Sequence, residues 1–166
     1  MAGTPDFALS RLLHRLVRAD VDFVVIGGVA VVVQGSPRFT KDLDITYATD
    51  KENLERLGAL LVRLDARLRE VEEDLPFAPD ARTLHGARML TLTTSDGELD
   101  LLADPPGSPS YASLKRKATR VELDGDTVLI AAIDDLIAMK TATGRPQDLV
   151  DLESLKVARR RTRRAR

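Results

Sequence analysis

Apolar residues recur at three- and four-residue spacing near the start of the chain and predict an amphipathic helix over residues 5–19. A continuous run at residues 22–26, DFVVI, is rich in residues that favour β-structure and predicts a buried strand. The apolar run resumes at residues 29–33, where the β-branched content favours more strand. The glycine pair Gly27-Gly28 between the two runs requires a turn, however, and we therefore predict a short buried helix after it.

The middle of the chain alternates between helix and strand patterns. Leucines at helical spacing predict a long helix over residues 51–70, with Asp50 as its N-cap. An acidic stretch that leads into two prolines predicts a loop over residues 71–86. Three strands complete this part of the chain, at residues 43–47, 88–94 and 98–102, and the last two form a hairpin.

The last third of the chain continues the alternation and completes the predicted fold. Its elements are a helix at residues 110–118, strands at 120–123 and 127–131, a helix capped by Asp134 or Asp135, and a helix at 146–158. Strands interleaved with helices predict an α/β (α+β) fold, a small mixed β-sheet with flanking helices and a helical C-terminal segment. No linker divides the chain. We therefore expect a single domain over residues 1–158, with a core at about 20–131 and the helical segment at 132–158.

The composition limits the class of protein. The chain has 166 residues, of which 43% are apolar, and this suits one domain with a substantial core. It contains no cysteine, which excludes disulfides and thiolate metal sites and favours a cytoplasmic location. The longest apolar run, at residues 23–33, is too short to cross a bilayer, and the first ten residues lack the layout of a signal peptide. We therefore expect no membrane partner.

Charge is unevenly distributed along the chain. The net charge is −1, but residues 159–166 hold six arginines and no acid. The rest of the chain therefore carries 19 basic and 26 acidic residues, a net charge of −7. An arginine-rich end is typical of a nucleic-acid-binding arm, but it is more often a solvated terminus. We predict a disordered tail at residues 159–166 and keep RNA binding as the alternative.

Two features near the glycine pair favour phosphate and metal chemistry. A strand that turns at Gly27-Gly28 into a helix exposes backbone N–H groups, and glycine lets a phosphate approach them closely. Asp42 and Asp44 are two residues apart on a predicted strand and so share one face. A divalent cation such as Mg²⁺ would relieve the repulsion between their charges. Each feature alone is equally compatible with an ordinary buried turn or a solvated strand edge.

A third acidic position follows on the strand at residues 98–102. Glu98 and Asp100 share a face of that strand, and either could complete a cluster of three carboxylates that holds two metal ions. Such a cluster suits in-line displacement at phosphorus, because one metal ion activates the attacking oxygen and the other stabilises the leaving group. The alternative is a solvated strand face.

Lys140 shares the apolar face of a predicted helix and therefore needs a counter-charge. A bound triphosphate is the functional candidate, which we favour, and Asp148 or Asp151 is the structural one. Arg145 and Asp148 are three residues apart and could form an ion pair with a purely structural role.

These motifs in combination resemble a known family. The stretches GGVAVVVQGSPRFTKDLDI, residues 27–45, and AAIDDLIAMKTATGRPQDLVDLESL, residues 131–155, resemble the small prokaryotic branch of the DNA polymerase β-like nucleotidyltransferases, which includes the AbiEii-type toxins. In that branch a glycine precedes an Arg-x-Thr-x-Asp-apolar-Asp motif, as Gly35 precedes Arg38 here. The resemblance extends over roughly residues 20–156.

The resemblance implies a division of roles among the candidate residues. Phosphate binding would fall to Gly27, Gly28, Arg38 and Thr40, together with Lys140, and Arg38 and Thr40 could instead order their loop. Asp42 and Asp44 would bind the metal ion that carries the triphosphate. Asp44 and Asp100 would share a second metal ion and position or deprotonate an acceptor hydroxyl. The expected cofactor is Mg²⁺ or Mn²⁺, and the expected substrate is a nucleoside triphosphate.

The expected function is therefore metal-dependent transfer of a nucleoside monophosphate from an NTP to an acceptor hydroxyl. The acceptor could be an RNA 3′ end, such as that of a tRNA, a protein side chain or a small molecule, and the protein could act within a toxin–antitoxin system. A second hypothesis is a catalytically inactive module of the same fold that binds a nucleotide or a toxin–antitoxin partner. A third is an RNA-binding protein that acts through its arginine-rich tail.

Overall fold

The computed structural model describes residues 7–71 and 77–166. In chain order the elements are α1 (Phe7–Arg18), β1 (Phe23–Ile26), α2 (Gly27–Val33), β2 (Leu43–Tyr47), α3 (Lys51–Arg63), β3 (Arg67–Leu68), α4 (Ala81–Gly86), β4 (Met89–Thr94), β5 (Gly97–Leu102), α5 (Tyr111–Lys117), β6 (Thr119–Leu123), β7 (Asp126–Ile130), α6 (Ile133–Thr143) and α7 (Pro146–Arg164). Residues 1–6 and 72–76 lie outside the described residues, and with them the start of the helix predicted from residue 5 and part of the loop predicted over 71–86.

Within the described part of the chain, seven strands form one mixed sheet in the order β3-β4-β5-β2-β1-β7-β6. β1 runs antiparallel to β2 and parallel to β7, and β2 runs parallel to β5. The remaining neighbours, β3 with β4, β4 with β5 and β6 with β7, are antiparallel. The predicted α/β (α+β) fold with a mixed sheet and flanking helices is confirmed. The glycine pair directly follows β1, and Asp42 and Asp44 lie just before and within β2, so both features are found beside central strands of the sheet.

The hydrophobic core is built around these central strands. All four residues of β1 are buried, and in β2 Leu43 and Ile45 are fully buried while Asp44 between them is half-buried. The leucine stripes of α1 and α3 join the same core, with fully buried residues Leu12, Leu16, Leu57 and Leu61. Each leucine side chain removed from water in this way stabilises the fold by about 2 kcal/mol. Leu155 of α7 also belongs to this core, so the C-terminal helix packs against the body of the protein.

Helix α3 is shorter than the sequence pattern predicts. It ends at Arg63 rather than at residue 70, and Asp65 after it adopts a left-handed backbone conformation with φ of 48°. The chain then enters β3, where Leu68 pairs with Leu92 of β4. The helix prediction for residues 64–70 was wrong because pairing with the sheet edge overrides the helical spacing of the leucines.

The loop predicted over residues 71–86 contains a helix, α4. Asp80 caps it, since its carboxylate accepts a hydrogen bond of 2.7 Å from the backbone N–H of Thr83. Leu84 anchors the helix by being buried in the core. The two prolines before it obscured this short element in the sequence.

Two predictions for the C-terminal helices also need correction. Ala132 precedes α6, whereas Asp134 and Asp135, which were the predicted caps, lie in its first turn. α7 continues to Arg164, so the segment predicted to be a disordered tail is helical up to that residue. Arginine is a good helix former, and Arg159 forms an ion pair of 3.2 Å with Asp134. The arginines are therefore presented on a helix.

No membrane partner was predicted, because the longest apolar run of the sequence is too short to cross a bilayer. Among the helices of residues 7–71 and 77–166, none is long and apolar enough to span a membrane.

Candidate functional site

Three aspartates meet where β2 and β5 lie side by side. Asp44 of β2 is directly opposite Asp100 of the parallel strand β5. The carboxyl groups of these two residues are hydrogen-bonded to each other, and Asp42 is close enough to act on both electrostatically. The parallel pairing thus brings together Asp42, Asp44 and Asp100, the residues predicted from the sequence to bind metal.

The crowding of carboxyl groups changes their acidity. Burial, the neighbouring Asp100 and, to a smaller extent, Asp42 raise the pKa of Asp44 to about 7. Burial also raises the pKa of Asp100, although the nearby Arg69 guanidinium and the hydrogen bond with Asp44 oppose that rise. A carboxyl group with a pKa in this range exists in both protonation states near neutral pH. A cation bound beside it would favour the ionised form.

A residue that the sequence analysis did not select, Arg69, lies inside this acidic cluster. Its Nη1 atom is 2.7 Å from Glu98 Oε2 and 3.6 Å from Asp42 Oδ2, and its Nη2 atom pairs with Asp100 Oδ1. Burial acts to lower the pKa of Arg69, but the three carboxylates outweigh that effect and keep the guanidinium charged. Asp100 and Glu98, the two candidates for the third acid, thus share the guanidinium, and Asp100 alone is paired with Asp44.

The glycine pair lies directly against this cluster. Gly27 has a φ of +66°, in the left-handed region, and a Cβ atom at this position would overlap the carboxylate of Asp44. A Cβ at Gly28 would lie 2.8 Å from Thr40 Oγ1 and 3.1 Å from Arg38 Nη2. Both positions therefore require glycine, because neighbouring side chains lie too close to leave room for a Cβ atom. The turn is in contact with the groups to which metal and phosphate roles were assigned.

A second charged network holds the other side of the site. Lys140 Nζ is 3.1 Å from Asp148 Oδ1 and 3.0 Å from Asp151 Oδ2. Arg38 Nη1 is 2.5 Å from the same Asp151 oxygen. The structural counter-charge considered for Lys140 is thus present, and its binding of triphosphate stays a prediction. The Arg38 pair is the kind of contact expected of a residue that orders its loop.

Asp148 is the most heavily hydrogen-bonded acid of this network. Its Oδ2 atom accepts hydrogen bonds from the backbone N–H of Arg145 at 3.0 Å, from the Arg145 guanidinium at 2.9 Å and from Thr143 Oγ1 at 2.7 Å. Burial opposes its ionisation, but the hydrogen bonds from Arg145, Thr143 and Lys140 hold the pKa of Asp148 below its usual range. The predicted pairing of Arg145 with Asp148 is therefore found at the start of α7, and the contacts of Asp148 with Lys140 and Thr143 link α6 to α7.

One cavity of about 780 Å³ is lined by all eight residues to which the sequence analysis gave metal or phosphate roles. Its polar side holds the aspartates, the glycine turn and the cations Arg38 and Lys140. A contrasting apolar part of the wall, which the sequence analysis did not identify, consists of Met89, Leu102, Pro105 and Pro106. The chain places these residues on β4, β5 and the loop after β5. The cavity therefore offers both a charged end and an apolar wall to a ligand.

The donor set suits a hard divalent cation, but its present arrangement favours Arg69. Carboxylate oxygens are the ligands that Mg²⁺ prefers, and a cation would relieve the unfavourable ionisation of Asp44. In residues 7–71 and 77–166, no three acidic or histidine side chains already stand in the geometry of a metal site. The guanidinium of Arg69 instead contacts Asp42 and Asp100. The residues therefore fit a metal ion by their chemistry, and holding one requires a side-chain rearrangement.

Solved structures with the same fold give the class of protein. The lincomycin-bound lincosamide antibiotic adenylyltransferase LnuA matches 92% of this chain and 97% of its own, with a TM-score of 0.60 and 13% identity. The antibiotic-resistance factor ANT(2'')-Ia matches over 97% and 94% of the two chains, with a TM-score of 0.53 and 17% identity. An antigenic nucleotidyltransferase-like protein from Paracoccidioides brasiliensis matches over 88% and 72%, with a TM-score of 0.51 and 18% identity. The fold is that of the nucleotidyltransferases.

The family follows from a match at the level of sequence. The model of the nucleotidyl transferase AbiEii toxin family, type IV toxin–antitoxin system, matches residues 11–161. The chain belongs to this family, and the predicted resemblance is confirmed. A comparison with curated proteins gives no significant match.

Proposed function

We propose that this protein is a metal-dependent enzyme that transfers a nucleoside monophosphate from an NTP to an acceptor hydroxyl and releases pyrophosphate. The observation that carries the proposal is the convergence of Asp42, Asp44 and Asp100 against the Gly27-Gly28 turn in one cavity. Nucleotide transfer requires that the triphosphate be positioned and its charge neutralised. Carboxylates that bind a metal ion beside a phosphate-binding turn would meet both requirements.

All three carboxylates would bind metal, and Asp44 and Asp100 would also serve the acceptor hydroxyl. Asp42 and Asp44 would hold the metal ion that accompanies the triphosphate, and Asp44 and Asp100 would hold a second. Bound Mg²⁺ or Mn²⁺ would neutralise charge on the phosphates and stabilise pyrophosphate as the leaving group. The acceptor oxygen forms a bond to the α-phosphorus, the bond from that phosphorus to the bridging oxygen breaks, and the hydroxyl proton passes to the Asp44–Asp100 pair.

The phosphates would bind between the glycine turn and the cations. Gly27 and Gly28 line the cavity, and because neither has a side chain, Asp44, Thr40 and Arg38 can pack directly against the turn. Arg38 and Lys140 each use part of their donor capacity on Asp151, and both line the cavity. A guanidinium has five N–H donors and an ammonium has three, so each residue retains donors for phosphate oxygens.

An RNA 3′ end is the acceptor that we favour. Phe39 lies between Arg38 and Thr40, which both line the cavity, and 75% of its surface is exposed. An exposed aromatic ring beside a phosphate site can stack on a nucleobase. The basic end of α7 adds charges that would attract an RNA backbone, and Arg161 borders a groove that reaches Pro37 in the same loop. In this form the protein would be the toxin of a toxin–antitoxin pair.

A small hydroxylated molecule is the second candidate acceptor. The apolar wall formed by Met89, Leu102, Pro105 and Pro106 favours it, because a compact ligand buries its apolar faces in such a cavity. The lincosamide adenylyltransferase LnuA, whose fold this chain shares, has a small-molecule acceptor by its name.

Labelled NTPs test the proposal and its competitors together. The protein would be incubated with Mg²⁺, each α-labelled NTP in turn, and either total RNA or a mixture of small hydroxylated molecules. We expect wild-type protein and the Asp104→Asn control, which changes an exposed acid outside the cluster, to transfer label. Asp42→Asn and Asp44→Asn should each reduce transfer by about a hundredfold or more, as expected for residues that hold transition-state charge.

The alternatives give different outcomes in the same experiment. Label at RNA 3′ ends supports the favoured acceptor, and label only in small molecules supports the second. Binding of NTP without transfer of label to RNA, protein or small molecules would contradict the enzyme and support an inactive nucleotide-binding module.

A further inference from the structure

Arg69 is anchored by its backbone at the edge of the sheet, and its side chain lies among the carboxylates of the site. The residue follows β3 directly, and its backbone N–H donates a hydrogen bond of 2.9 Å to the carbonyl of Thr91 on β4. This contact fixes the backbone at the edge of the sheet. The side chain reaches from there into the acidic cluster, where only 19% of it is exposed. A cation held so firmly among the catalytic carboxylates must influence how they bind a metal ion.

The contacts of Arg69 divide into an inner and an outer set. The inner set is Asp42 and Asp100, which are grouped by the metal-binding role assigned to them; their side chains are 43% and 14% exposed. The outer partner is Glu98, whose side chain is 41% exposed and which forms the 2.7 Å pair with Nη1. A guanidinium and a divalent cation cannot both contact the same inner oxygens, because each occupies the space between them and like charges repel.

We propose that Arg69 is a positioning residue that competes with the divalent cation for Asp42 and Asp100. In the metal-free protein its guanidinium holds the like-charged carboxylates together. When a metal ion binds, the guanidinium releases Asp42 and Asp100 and keeps Glu98 as its partner. The inference rests on the proposed function for the place of the metal ion, and it assigns different roles to the two acids of β5: Asp100 binds the metal ion and Glu98 holds Arg69.

The arrangement allows this release without movement of the backbone. The Arg69 backbone is hydrogen-bonded to Thr91 of β4, and Glu98 of β5 is paired with Thr93 of the same strand. Glu98 is therefore fixed relative to the base of the Arg69 side chain. Nη1 lies closer to Glu98, at 2.7 Å, than to Asp42, at 3.6 Å, so a rotamer change of the long side chain can withdraw Nη2 from Asp100 while Nη1 stays with Glu98.

Direct measurement of Mn²⁺ binding tests the competition without nucleotide and without turnover. Calorimetry and the paramagnetic resonance of free Mn²⁺ would give the dissociation constant for wild type, Arg69→Ala, Arg69→Lys and Arg88→Ala. We expect Arg69→Ala to bind Mn²⁺ about tenfold more tightly than wild type. Arg69→Lys keeps the charge but lacks the planar fork of guanidinium donors, so its affinity should lie between the two. Arg88→Ala removes an exposed arginine that pairs with Asp104, and should leave the affinity unchanged.

Thermal unfolding provides an independent readout and covers the case of poor folding. Without metal, Arg69→Ala should melt at a lower temperature than wild type, because the carboxylates lose their counter-charge. Saturating Mn²⁺ should raise its melting temperature by more than it raises that of wild type. Unchanged or weaker Mn²⁺ binding in Arg69→Ala, or a variant that melts like wild type without metal, would overturn the inference.

Failure of this inference and failure of the proposed function are distinguishable. Tighter Mn²⁺ binding by Arg69→Ala in a protein that transfers no nucleotide would support the role of Arg69 and contradict the enzyme. Metal-dependent nucleotide transfer by a protein whose Mn²⁺ affinity does not respond to Arg69→Ala would contradict the role of Arg69 alone.

Discussion

At the scale of single residues, the site depends on glycine, which has no side chain, at position 27 as much as on the charged side chains around it. Gly27 combines a left-handed backbone with direct contact against the carboxylate of Asp44. A non-glycine residue would be strained by its backbone conformation and would also push Asp44 away from Asp100. Gly125, in the turn between β6 and β7, has a similar backbone with φ of +87°, but no atom would lie within 4 Å of an added Cβ.

This difference makes Gly125→Ala a matched control for Gly27→Ala. The control should lose about 1–2 kcal/mol of unfolding free energy, which is the cost of the left-handed conformation alone. Gly27→Ala should lose about 2–4 kcal/mol, because overpacking against Asp44 adds to that cost. Urea unfolding measures both variants, and the labelled-NTP assay should show loss of transfer for Gly27→Ala only. Equal stability losses with full transfer by both variants would show that the Gly27–Asp44 contact is unimportant.

At the scale of elements, the contacts between α6 and α7 hold two cations of the site in place. Asp148, near the start of α7, is 1% exposed and binds groups from the end of α6 and from Arg145 before α7. Asp151, one turn later, binds both Lys140 of α6 and Arg38 of the loop before β2. These two acids thus fix the cavity-lining cations Arg38 and Lys140 relative to the glycine turn.

Neutralising Asp148 should therefore loosen the contacts between α6 and α7. Asp148→Asn leaves buried Lys140 with a weaker counter-charge, and we expect a loss of about 3 kcal/mol in unfolding free energy. Glu153→Gln on the same helix is the control: its exposed 3.2 Å pair with Lys156 should contribute less than about 0.5 kcal/mol. Chemical denaturation compares the two variants. A loss for Asp148→Asn no larger than that of the control would mean that the network adds nothing to stability.

At the scale of the whole molecule, one hydrophobic core joins the first helix of the described chain to the last. Leu9 of α1, the β1 and β2 side chains and Leu155 of α7 belong to the same buried cluster. The predicted single domain over residues 1–158 stays a prediction, and this shared core is the physical argument for it.

A shared core predicts cooperative unfolding. Calorimetry of the full chain should give a single transition whose van't Hoff enthalpy equals its calorimetric enthalpy, since α6 and α7 cannot leave without exposing part of the core. Near-ultraviolet and far-ultraviolet circular dichroism should melt at the same temperature. An earlier, separate transition for the C-terminal helices would show instead that residues 132–158 form an independent unit.

The successes and failures of the sequence analysis have a common physical origin. The pairing of Asp42 with Asp44, the turn at Gly27-Gly28 and the hairpin of β4 and β5 depend on residues close in sequence, so local periodicity was enough to find them. Arg69 was hidden inside a leucine pattern that favoured helix α3. Its role depends on β3 pairing with β4, which no local pattern reveals.

The sequence by itself therefore determined the fold class, the family and the acidic pair of the central strand, because those are encoded in patterns of neighbouring residues. Only the tertiary structure decided which acid of β5 meets Asp44, since this depends on the register of two parallel strands that lie far apart in the chain. It also decided that Lys140 is held by two aspartates and that Arg69 lies among the carboxylates. Such pairings between distant charges follow from the packing of whole elements, and spacing along the chain does not specify them.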